Sequence, residues 1–486
     1  MNQLLASEQG KTIMRSLMIA IFCVAAVAAH AQSFSVLYGF PENGTEGYNP
    51  YYMNMIQGTD GNLYGTTFSG GAGNVNCDNY TDCGGVVFNI TPSGDYTLLY
   101  TFCALGDGQG DCPDGRSPEG GVIQASDGNI YGMTYAGGTN DLGTIFRFTP
   151  DGTLTTLHSF CNPPYSCNPN DGSGPTGQLL QASNGDLYGV STGNTLFKIT
   201  TAGKFTLLYS FPNGTNPQGN LVQIPSGDIY GVTEDGGAYS QGEIFKATLG
   251  GKVTTVYSFC AQQGCPDGQH PNSLALGSDG DLYGSTFAGG TDDFGTVFKI
   301  TTKGKFKFTL VHTFTGFDNG GDDGGNPSAP MTIGSDGNLY GTAQNYGGGG
   351  EGGTGAVYAV GAGGYASYGL PTDLCTLAHP LGGLVQSTNG TFFGSDNGTC
   401  LIGFSNGLGP FVQPIPTFGE AGTKVVIQGT DLTGATSVTF NGKSASFTVV
   451  SATEITTTVP TGATTGPIQV VTPGGTLNSN VQFTVK

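Results

Sequence analysis

The sequence predicts an all-β protein, a seven-bladed β-propeller closed by an N-terminal strand and followed by a C-terminal immunoglobulin-like β-sandwich. Three observations predict this fold. A short turn motif recurs seven times, the composition favours strands and turns over helices, and the pattern changes in kind near residue 411. A chain of 486 residues is also too long for one ordinary hydrophobic core, so several domains or a repeat array are expected.

The recurring motif is an Asx-Gly or Ser-Gly turn followed by a polar, an aliphatic and an aromatic residue and then a glycine. Its copies lie between 42 residues apart, from Tyr188 to Tyr230, and 67 apart, from Tyr64 to Tyr131. The shortest interval is long enough for one four-stranded propeller blade, and the longer ones add loop residues. The seven copies occupy residues 60–65, 127–132, 184–189, 226–231, 279–284, 336–341 and 389–394.

Each unit is predicted to contain four short strands, which in the second unit are strand a (121–124), strand b (129–132), strand c (144–148) and strand d (154–160). The composition agrees, because 86 residues are glycine, only 10% are charged, and no collagen-like Gly-X-Y period is present. Seven such antiparallel sheets would leave exposed edges unless they pack radially and the ring closes.

Closure is predicted from the two ends of the repeat region. The last unit has strands a, b and c at residues 383–386, 391–394 and 401–404 but no strand d. Residues 34–40 have the strand d pattern with no strands a, b and c before them. We therefore expect the N-terminal strand to complete the seventh blade.

The motif at residues 60–65, the Gly-Gly element at 289–290 that leads to 295–300, and strand endings such as 208–211 carry a family resemblance. Over about residues 34–405 the chain resembles the choice-of-anchor GloVer tandem repeats. The third unit departs from that pattern because it lacks the Gly-Gly element, and the seventh unit departs as well. The resemblance implies an exported bacterial surface or extracellular protein and no particular activity.

Residues 411–486 have alternating strand patterns of the length found in small sandwiches, at 422–429, 438–442, 466–475 and 483–485. Across its whole length this segment looks like an IPT/TIG domain, which implies a spacer or a binding module. The predicted organisation is a signal peptide at 1–31, the propeller at 32–410 and the IPT/TIG domain at 411–486.

The N-terminal segment has the features of an export signal. Lys11 and Arg15 precede an apolar run at residues 17–29, and Ala29-His30-Ala31 supplies small residues for cleavage. The alternative is a transmembrane anchor, but this apolar run is too short to span a bilayer comfortably. We expect a secreted or cell-surface protein whose mature chain has no membrane span.

The ten cysteines that follow the leader fall into sequence-local pairs, which favours disulfides in an exported protein. The alternative, a metal site, lacks the Cys-x-x-Cys and His-x-x-x-His spacings of zinc modules. The predicted pairs are Cys77 with Cys83, Cys103 with Cys112, Cys161 with Cys167, Cys260 with Cys265, and Cys375 with Cys400.

The formal net charge is −20, and the excess lies on the repeat region because acidic and basic residues balance within 411–486. Such a field argues against nucleic acid and anionic lipid as partners. Neutral glycans, cations and basic proteins remain candidate partners.

Four histidines follow the leader. His158 and His312 stand where other units have the tyrosine of strand d, so they are interpreted as packing substitutions. His270 and His379 lie beside proline in loops and have no metal-ligand spacing. The aromatic residue of strand b could stack on a sugar, but its repetition in every unit favours packing between blades.

Acidic residues at 318–325 suggest a weak calcium site with Asp318, Asp322 and Asp323 as candidate ligands. Their spacing is not that of an EF-hand, and a solvated loop is the favoured interpretation. No other cofactor is predicted. We find no catalytic triad, nucleophile elbow or phosphate-binding loop.

The sequence therefore predicts an exported non-catalytic binding or surface-interaction protein whose partner is an extracellular glycan or protein. The alternative is an extracellular propeller hydrolase or lyase that acts on polysaccharide. In up-and-down blades the b–c and d–a connections emerge at one face, and here they are long, as at 103–118 and 260–271. Recognition is expected on this loop face, with the sandwich on the opposite face.

Overall fold

The computed structural model describes residues 32–41, 43–50, 53–71, 84–103, 112–161, 171–316, 323–345, 353–361, 364–371, 379–396 and 399–486. The predicted leader, residues 1–31, lies outside these ranges. Within them all regular structure is β-strand, and no helix long and apolar enough to cross a membrane is found.

The first strand, β1 (Ser33–Gly39), belongs to the last of seven antiparallel sheets that precede residue 411. In the first five sheets the four strands are paired in chain order. Sheet 1 contains β2 (Ile56–Gln57), β3 (Leu63–Thr67), β4 (Val86–Ile90) and β5 (Tyr96–Thr101), and sheet 2 contains β6 (Val122–Gln124), β7 (Ile130–Thr134), β8 (Thr144–Phe148) and β9 (Leu154–Ser159). Sheet 3 contains β10 (Pro175–Gln181), β11 (Leu187–Ser191), β12 (Thr195–Ile199) and β13 (Phe205–Ser210), and sheet 4 contains β14 (Pro217–Gln223), β15 (Ile229–Thr233), β16 (Glu243–Ala247) and β17 (Val253–Ser258).

The remaining sheets follow the same plan with two variations. Sheet 5 contains β18 (Gln269–Leu276), β19 (Leu282–Ala288), β20 (Thr296–Ile300) and β21 (Phe308–Thr313). In sheet 6, strand a is split into β22 (Gly325–Pro327) and β23 (Thr332–Ile333), which precede β24 (Leu339–Asn345), β25 (Ala356–Gly361) and β26 (Gly364–Gly369). Sheet 7 contains β27 (Val385–Gln386), β28 (Phe392–Ser395), β29 (Cys400–Ser405) and, on the outer side of β29, β1.

Hydrogen bonds and packing explain why the repeat motif recurs with the same residue types, as the second unit illustrates. Asp127 accepts a hydrogen bond from the Asn129 N–H at 3.1 Å and another from the Tyr131 hydroxyl at 2.7 Å. The Tyr131 side chain is fully buried, so the predicted packing role of this ring is confirmed. Gly132 pairs across the strands with Phe146, and a Cβ on Gly132 would lie 2.4 Å from Phe146 Cζ.

The hydrophobic cores lie between consecutive sheets. Seven clusters of buried residues each combine side chains of two neighbouring sheets, and one of them joins Phe393 and Leu401 of sheet 7 to Leu63 and Phe88 of sheet 1. A parallel bridge also pairs Asn54 with Gly383. Sheets 7 and 1 are therefore in contact, as are the sheets that follow each other along the chain.

The C-terminal region is a sandwich of two sheets around a separate core that includes Val425, Ile455 and Phe483. One sheet has the order β30 (Gln413–Ile415), β32 (Lys424–Gln428), β36 (Glu454–Thr458) and β35 (Phe447–Val449). The other has the order β31 (Phe418–Gly419), β38 (Gly475–Val485), β37 (Gly466–Thr472), β33 (Ser437–Phe440) and β34 (Lys443–Ser444).

The sandwich contacts the a–b turns of sheets 1 and 7. Gln428 Nε2 donates to the carbonyl oxygen of Gln57 at 2.9 Å, and Thr453 Oγ1 donates to that of Thr59 at 2.7 Å. The hydroxyls of Thr388 and Thr430 lie 2.7 Å apart. The sandwich thus contacts the face that carries the a–b turns, here called the turn face, as strand alternation predicts, and none of its described hydrogen bonds reaches the loop face.

Candidate functional site

An acidic side chain anchors the connection from strand d to the next strand a. Tyr100 and Tyr257 donate from their hydroxyls to Asp114 and Asp267 at 2.8 and 2.7 Å. In other units a histidine takes the place of the tyrosine. His158 Nε2 lies 2.7 Å from Asp171, and His312 Nε2 lies 2.9 Å from Asp323. The two histidine rings also stack on aromatic rings of the next sheet, at 3.9 Å and 3.5 Å between centroids. His158 and His312 therefore occupy the position of the strand d tyrosine and make equivalent contacts, as the sequence predicts.

Each connection ends in a residue with positive φ followed by proline. This residue has φ between 49° and 93° in all seven units. A left-handed conformation favours Asn and Gly, and it is unusual directly before proline. The turn directs the chain from the outer strand d into the innermost strand a. The seven residues are Asn49, Ser117, Gly174, Asn216, His270, Asn326 and His379.

A cavity of about 340 Å³ lies on the loop face, where strands a begin just after these turns. Every sheet contributes to its lining. The lining includes Asn54 of sheet 1, Glu119 of sheet 2, Thr176 of sheet 3, Gln218, Asn220 and Glu234 of sheet 4, His270, Asn272 and Phe287 of sheet 5, Ser328 and Pro330 of sheet 6, and Leu381 of sheet 7.

Close backbone contact between strands a forms the wall of this cavity. A Cβ on Gly120 would lie 2.2 Å from the carbonyl oxygen of Gly177, and a Cβ on Gly177 would lie 2.3 Å from that of Gly219. Glycine is therefore required at these positions. Asn54 bridges the wall further, because its Nδ2 donates to the Gly120 carbonyl at 3.3 Å and its Oδ1 accepts from the Gly383 N–H at 3.1 Å.

Two glutamates give the cavity negative charge. Desolvation by burial raises the pKa of Glu119 to about 6, and no side-chain or backbone donor contacts its carboxylate within the described part of the chain. Glu234 accepts hydrogen bonds from Asn216 Nδ2 at 2.6 Å and from Gln218. Burial, and next the charge of Asp235, raise the pKa of Glu234 above its usual value.

Other lining groups supply polar and aromatic contacts. His270 Nδ1 lies 3.2 Å from the carbonyl oxygen of Glu234 and 3.5 Å from Asp235 Oδ1. The hydroxyl oxygen of Ser328 is buried and has no hydrogen-bond partner among the described residues. The Phe287 side chain is 40% exposed and offers an aromatic surface to the cavity. The cavity can therefore hold a small polar ligand against an aromatic edge.

The calcium candidates are only partly described. Asp318 and Asp322 lie outside the described residues. Asp323 accepts hydrogen bonds from Thr315 as well as contacting His312. Although desolvation raises the pKa of Asp323, the hydrogen bonds from His312 and Thr315 hold it below its usual value. No group of three or more metal-ligating side chains occurs in the described ranges.

Two of the five predicted cysteine pairs lie entirely within the described residues, and disulfides join Cys103 to Cys112 and Cys260 to Cys265. Both brace connections of the loop face. Cys161 and Cys400 are also disulfide-bonded. The other four mature cysteines, Cys77, Cys83, Cys167 and Cys375, lie outside the described residues.

Sequence reasoning missed the cavity residues Glu119 and Glu234 and set His270 aside as a loop histidine. A second recurring motif could have indicated Glu119 and His270. An acidic or Asn residue followed by Gly, two variable residues and Pro recurs in six units, and in five of them the residue directly after the proline lines the cavity. The six copies occupy residues 46–50, 114–118, 171–175, 213–217, 267–271 and 323–327.

Solved structures with a similar fold include a streptogramin B lyase, with 17% identity and a TM-score of 0.52, covering 78% of this chain and 99% of the lyase. The virginiamycin B lyase of Staphylococcus aureus has 16% identity and a TM-score of 0.51, with 77% and 99% covered. PorZ, a surface component of the type-IX secretion system of Porphyromonas gingivalis, has 14% identity and a TM-score of 0.49, with 90% and 59% covered. At these identities the likeness concerns the propeller-like fold alone.

No curated protein sequence matches the chain. The family model of the Gloeobacter/Verrucomicrobia repeat matches residues 23–224, 111–266 and 216–407, which together span more than half of the chain, and that of the IPT/TIG domain matches residues 410–485. The chain therefore belongs to the Gloeobacter/Verrucomicrobia repeat family and carries an IPT/TIG domain at its C-terminal end.

Proposed function

We propose that this chain is an exported binding protein in which a closed seven-bladed propeller recognises an extracellular ligand on its loop face. In this proposal residues 32–410 form the propeller and 411–486 the sandwich. Closure is supported by the pairing of β1 with β29 and by the core that sheets 7 and 1 share. A closed ring would leave only short, protected sheet edges.

Export is supported by the disulfides, because such bonds persist in oxidising compartments. The predicted leader at 1–31 is consistent with this compartment. An excess of negative charge disfavours nucleic acid and anionic lipid surfaces as partners. The ligand is therefore sought among extracellular glycans and proteins.

The observation that carries the binding function is the cavity of about 340 Å³ on the loop face. Its size is at the lower end of small-molecule sites, and several convergent polar groups surround it. The loop face is also the face that the sandwich leaves free, since the sandwich contacts the a–b turns. A rigid ring with long braced loops is a typical scaffold for recognition.

The test is a glycan array probed with the mature full-length chain, 32–486, with product analysis run on every glycan that binds. We expect binding without product formation. Glu119→Gln should weaken that binding at least tenfold, because it removes a charge from the cavity. Glu420→Gln, the same change on an exposed residue of the sandwich, is the matched control and should leave affinity unchanged. Equal affinities for both variants would contradict a role for the cavity.

A catalytic role is the second candidate, because Glu119 has a pKa of about 6 and lines the same cavity as His270. Groups that titrate near neutral pH suit general acid or base chemistry. The reaction would then be cleavage of an extracellular polysaccharide by hydrolysis or elimination. Products that form with the parent chain and disappear with Glu119→Gln would favour this candidate over simple binding.

A further inference from the structure

We infer that the cavity on the loop face binds an amino sugar through the protonated amine of the sugar. This inference rests on the proposed binding function and names the chemical class of its ligand. Three properties of the cavity carry it, namely its charge, an unpartnered carboxylate, and the arrangement of its remaining polar and aromatic groups.

The cavity carries negative charge that no lysine or arginine among its described lining residues balances. Glu119 and Glu234 both line it. His270 is the one basic lining residue described, and its Nδ1 already lies near Asp235. A site of this composition attracts a cation and repels carboxylate, sulfate and phosphate groups.

Glu119 is half-buried at the cavity, and no described donor contacts its carboxylate. Burying a charged group without a partner costs free energy, so natural proteins pair such groups unless a ligand supplies the partner. Glu234, in contrast, accepts hydrogen bonds from Asn216 and Gln218, which fix its position. An ammonium group has three donors and would supply what the Glu119 carboxylate lacks.

The remaining lining groups suit the hydroxylated ring of a sugar better than an alkyl chain. The buried Ser328 hydroxyl lacks a partner, and Thr176 and Gln218 add further hydrogen-bonding side chains. Phe287 exposes its ring at the edge of the cavity, where the apolar face of a sugar can pack. A lysine side chain of a protein would present only a methylene stem to these polar groups.

The test uses titration calorimetry on the mature full-length chain with two matched disaccharides. One is a β-1,4-linked dimer of glucosamine, and the other is the same dimer with both amines acetylated. We expect binding of the free amine and at least a tenfold weaker affinity for the acetylated dimer. Glu119→Gln should reduce affinity for the free amine at least tenfold, whereas Glu420→Gln should not change it.

Other outcomes would overturn the inference in distinguishable ways. Equal affinity for the two dimers, with no effect of Glu119→Gln, would show that the cavity does not recognise the amine. The proposed binding function would still stand. Binding of an Nα-acetyl-lysine amide without binding of the glucosamine dimer would assign the site to a protein side chain. Failure of every amine probe, together with a glycan array that shows no ligand, would contradict the proposed function as well. A thermal melt of each variant ensures that lost binding is not lost folding.

Discussion

Some residues of the repeat motif are required by contacts with side chains outside the motif. The final glycine of six of the seven copies lies beneath an aromatic ring of strand c, as Gly132 lies beneath Phe146 and Gly284 beneath Phe298, whereas Gly394 pairs with Ile402. A Cβ on Gly284 would lie 2.4 Å from Phe298 Cζ. These glycines therefore recur because a neighbouring ring occupies the space of a side chain, and not because of a positive φ.

We predict that Gly132→Ala destabilises the protein by about 1–3 kcal/mol, the usual cost of overpacking a core. The added methyl group would collide with the buried Phe146 ring, which has no free space beside it. Denaturant unfolding measures the change. Gly39→Ala is the control, because no heavy atom lies within 4 Å of a Cβ at Gly39. Equal stability of the two variants would show that the ring contact is unimportant.

We also predict that Glu119→Gln stabilises the free protein at neutral pH. Burial raises the pKa of Glu119 from 4.5 to about 6, so the folded state binds this proton more tightly than the unfolded state. The contribution of Glu119 to stability therefore falls as the pH rises from about 4.5 through 6. At pH 7 the cost of burying its charged carboxylate is fully present. The gain should reach up to about 2 kcal/mol at pH 7.

The measurement is the difference in unfolding free energy between parent and variant at several pH values from 4.5 to 7.5. The difference should shrink as the pH falls, because Glu119 of the folded state is then largely protonated and uncharged, as glutamine always is. A difference that stays constant over this range would contradict the desolvation of Glu119. Glu420→Gln provides the baseline for an exposed glutamate.

At the scale of elements, neighbouring sheets are joined by a glutamine at the end of strand a. Gln181 Nε2 donates to the Gly185 carbonyl in its own turn at 3.2 Å, while its Oε1 accepts from the Ser126 N–H of the preceding sheet at 2.8 Å. Sheets 5 and 6 have Leu276 and Ile333 at this position and rely on apolar packing instead. The five glutamines are Gln57, Gln124, Gln181, Gln223 and Gln386.

We predict that Gln223→Leu destabilises the protein by about 1–2 kcal/mol, because the substitution removes two half-buried hydrogen bonds. Gln223 is only 8% exposed, and its loss would free the Ser183 N–H and the Gly227 carbonyl. Thermal unfolding of the variant measures the effect. Gln263→Leu, the same change on an exposed loop, should be nearly neutral. A neutral Gln223→Leu would show that water replaces the inter-sheet bond.

Strands were predictable from the sequence because each is specified locally. Strand c of the second unit was predicted at residues 144–148 and forms there as β8, and predicted strand d at 154–160 forms as β9 one residue shorter. The cavity was not predictable in the same way. Glu119, Glu234 and His270 occupy different positions in their own units, and only the arrangement of the sheets brings them to one opening.

At the scale of the whole molecule, the two faces of the repeat region have different roles. Short a–b turns on one face contact the sandwich, whereas the cavity lies on the other face, beside the d–a connections. This separation follows from strand alternation, because successive connections of an antiparallel sheet emerge at opposite ends. A ligand can therefore approach the cavity without meeting the sandwich.

The last prediction concerns the strand that links the two ends of the repeat region. Strand β1 pairs with β29 along Ser33–Gly39, and Phe34 packs against Phe404 with ring centroids 4.9 Å apart. Phe40, directly after the strand, is buried in the core between sheets 7 and 1. Deleting residues 32–40 would therefore expose the edge of β29 and remove part of that core. We expect the deletion to lower the unfolding midpoint by at least about 5 °C, because several kcal/mol are lost and each kcal/mol shifts the midpoint of a domain this large by about 1–2 °C.

One further variant and a peptide experiment keep this prediction testable if the deletion variant aggregates. Phe34→Ala removes a half-buried ring while leaving the strand in place, and it should cost about 2 kcal/mol, less than a fully buried phenylalanine. The mature chain 32–486 is the reference.

A synthetic peptide of residues 32–41 added to the deletion variant should raise its midpoint in a concentration-dependent way, since the peptide binds only the folded state. A deletion variant that melts within a few degrees of the reference, with no response to the peptide, would show that β1 does not close the ring.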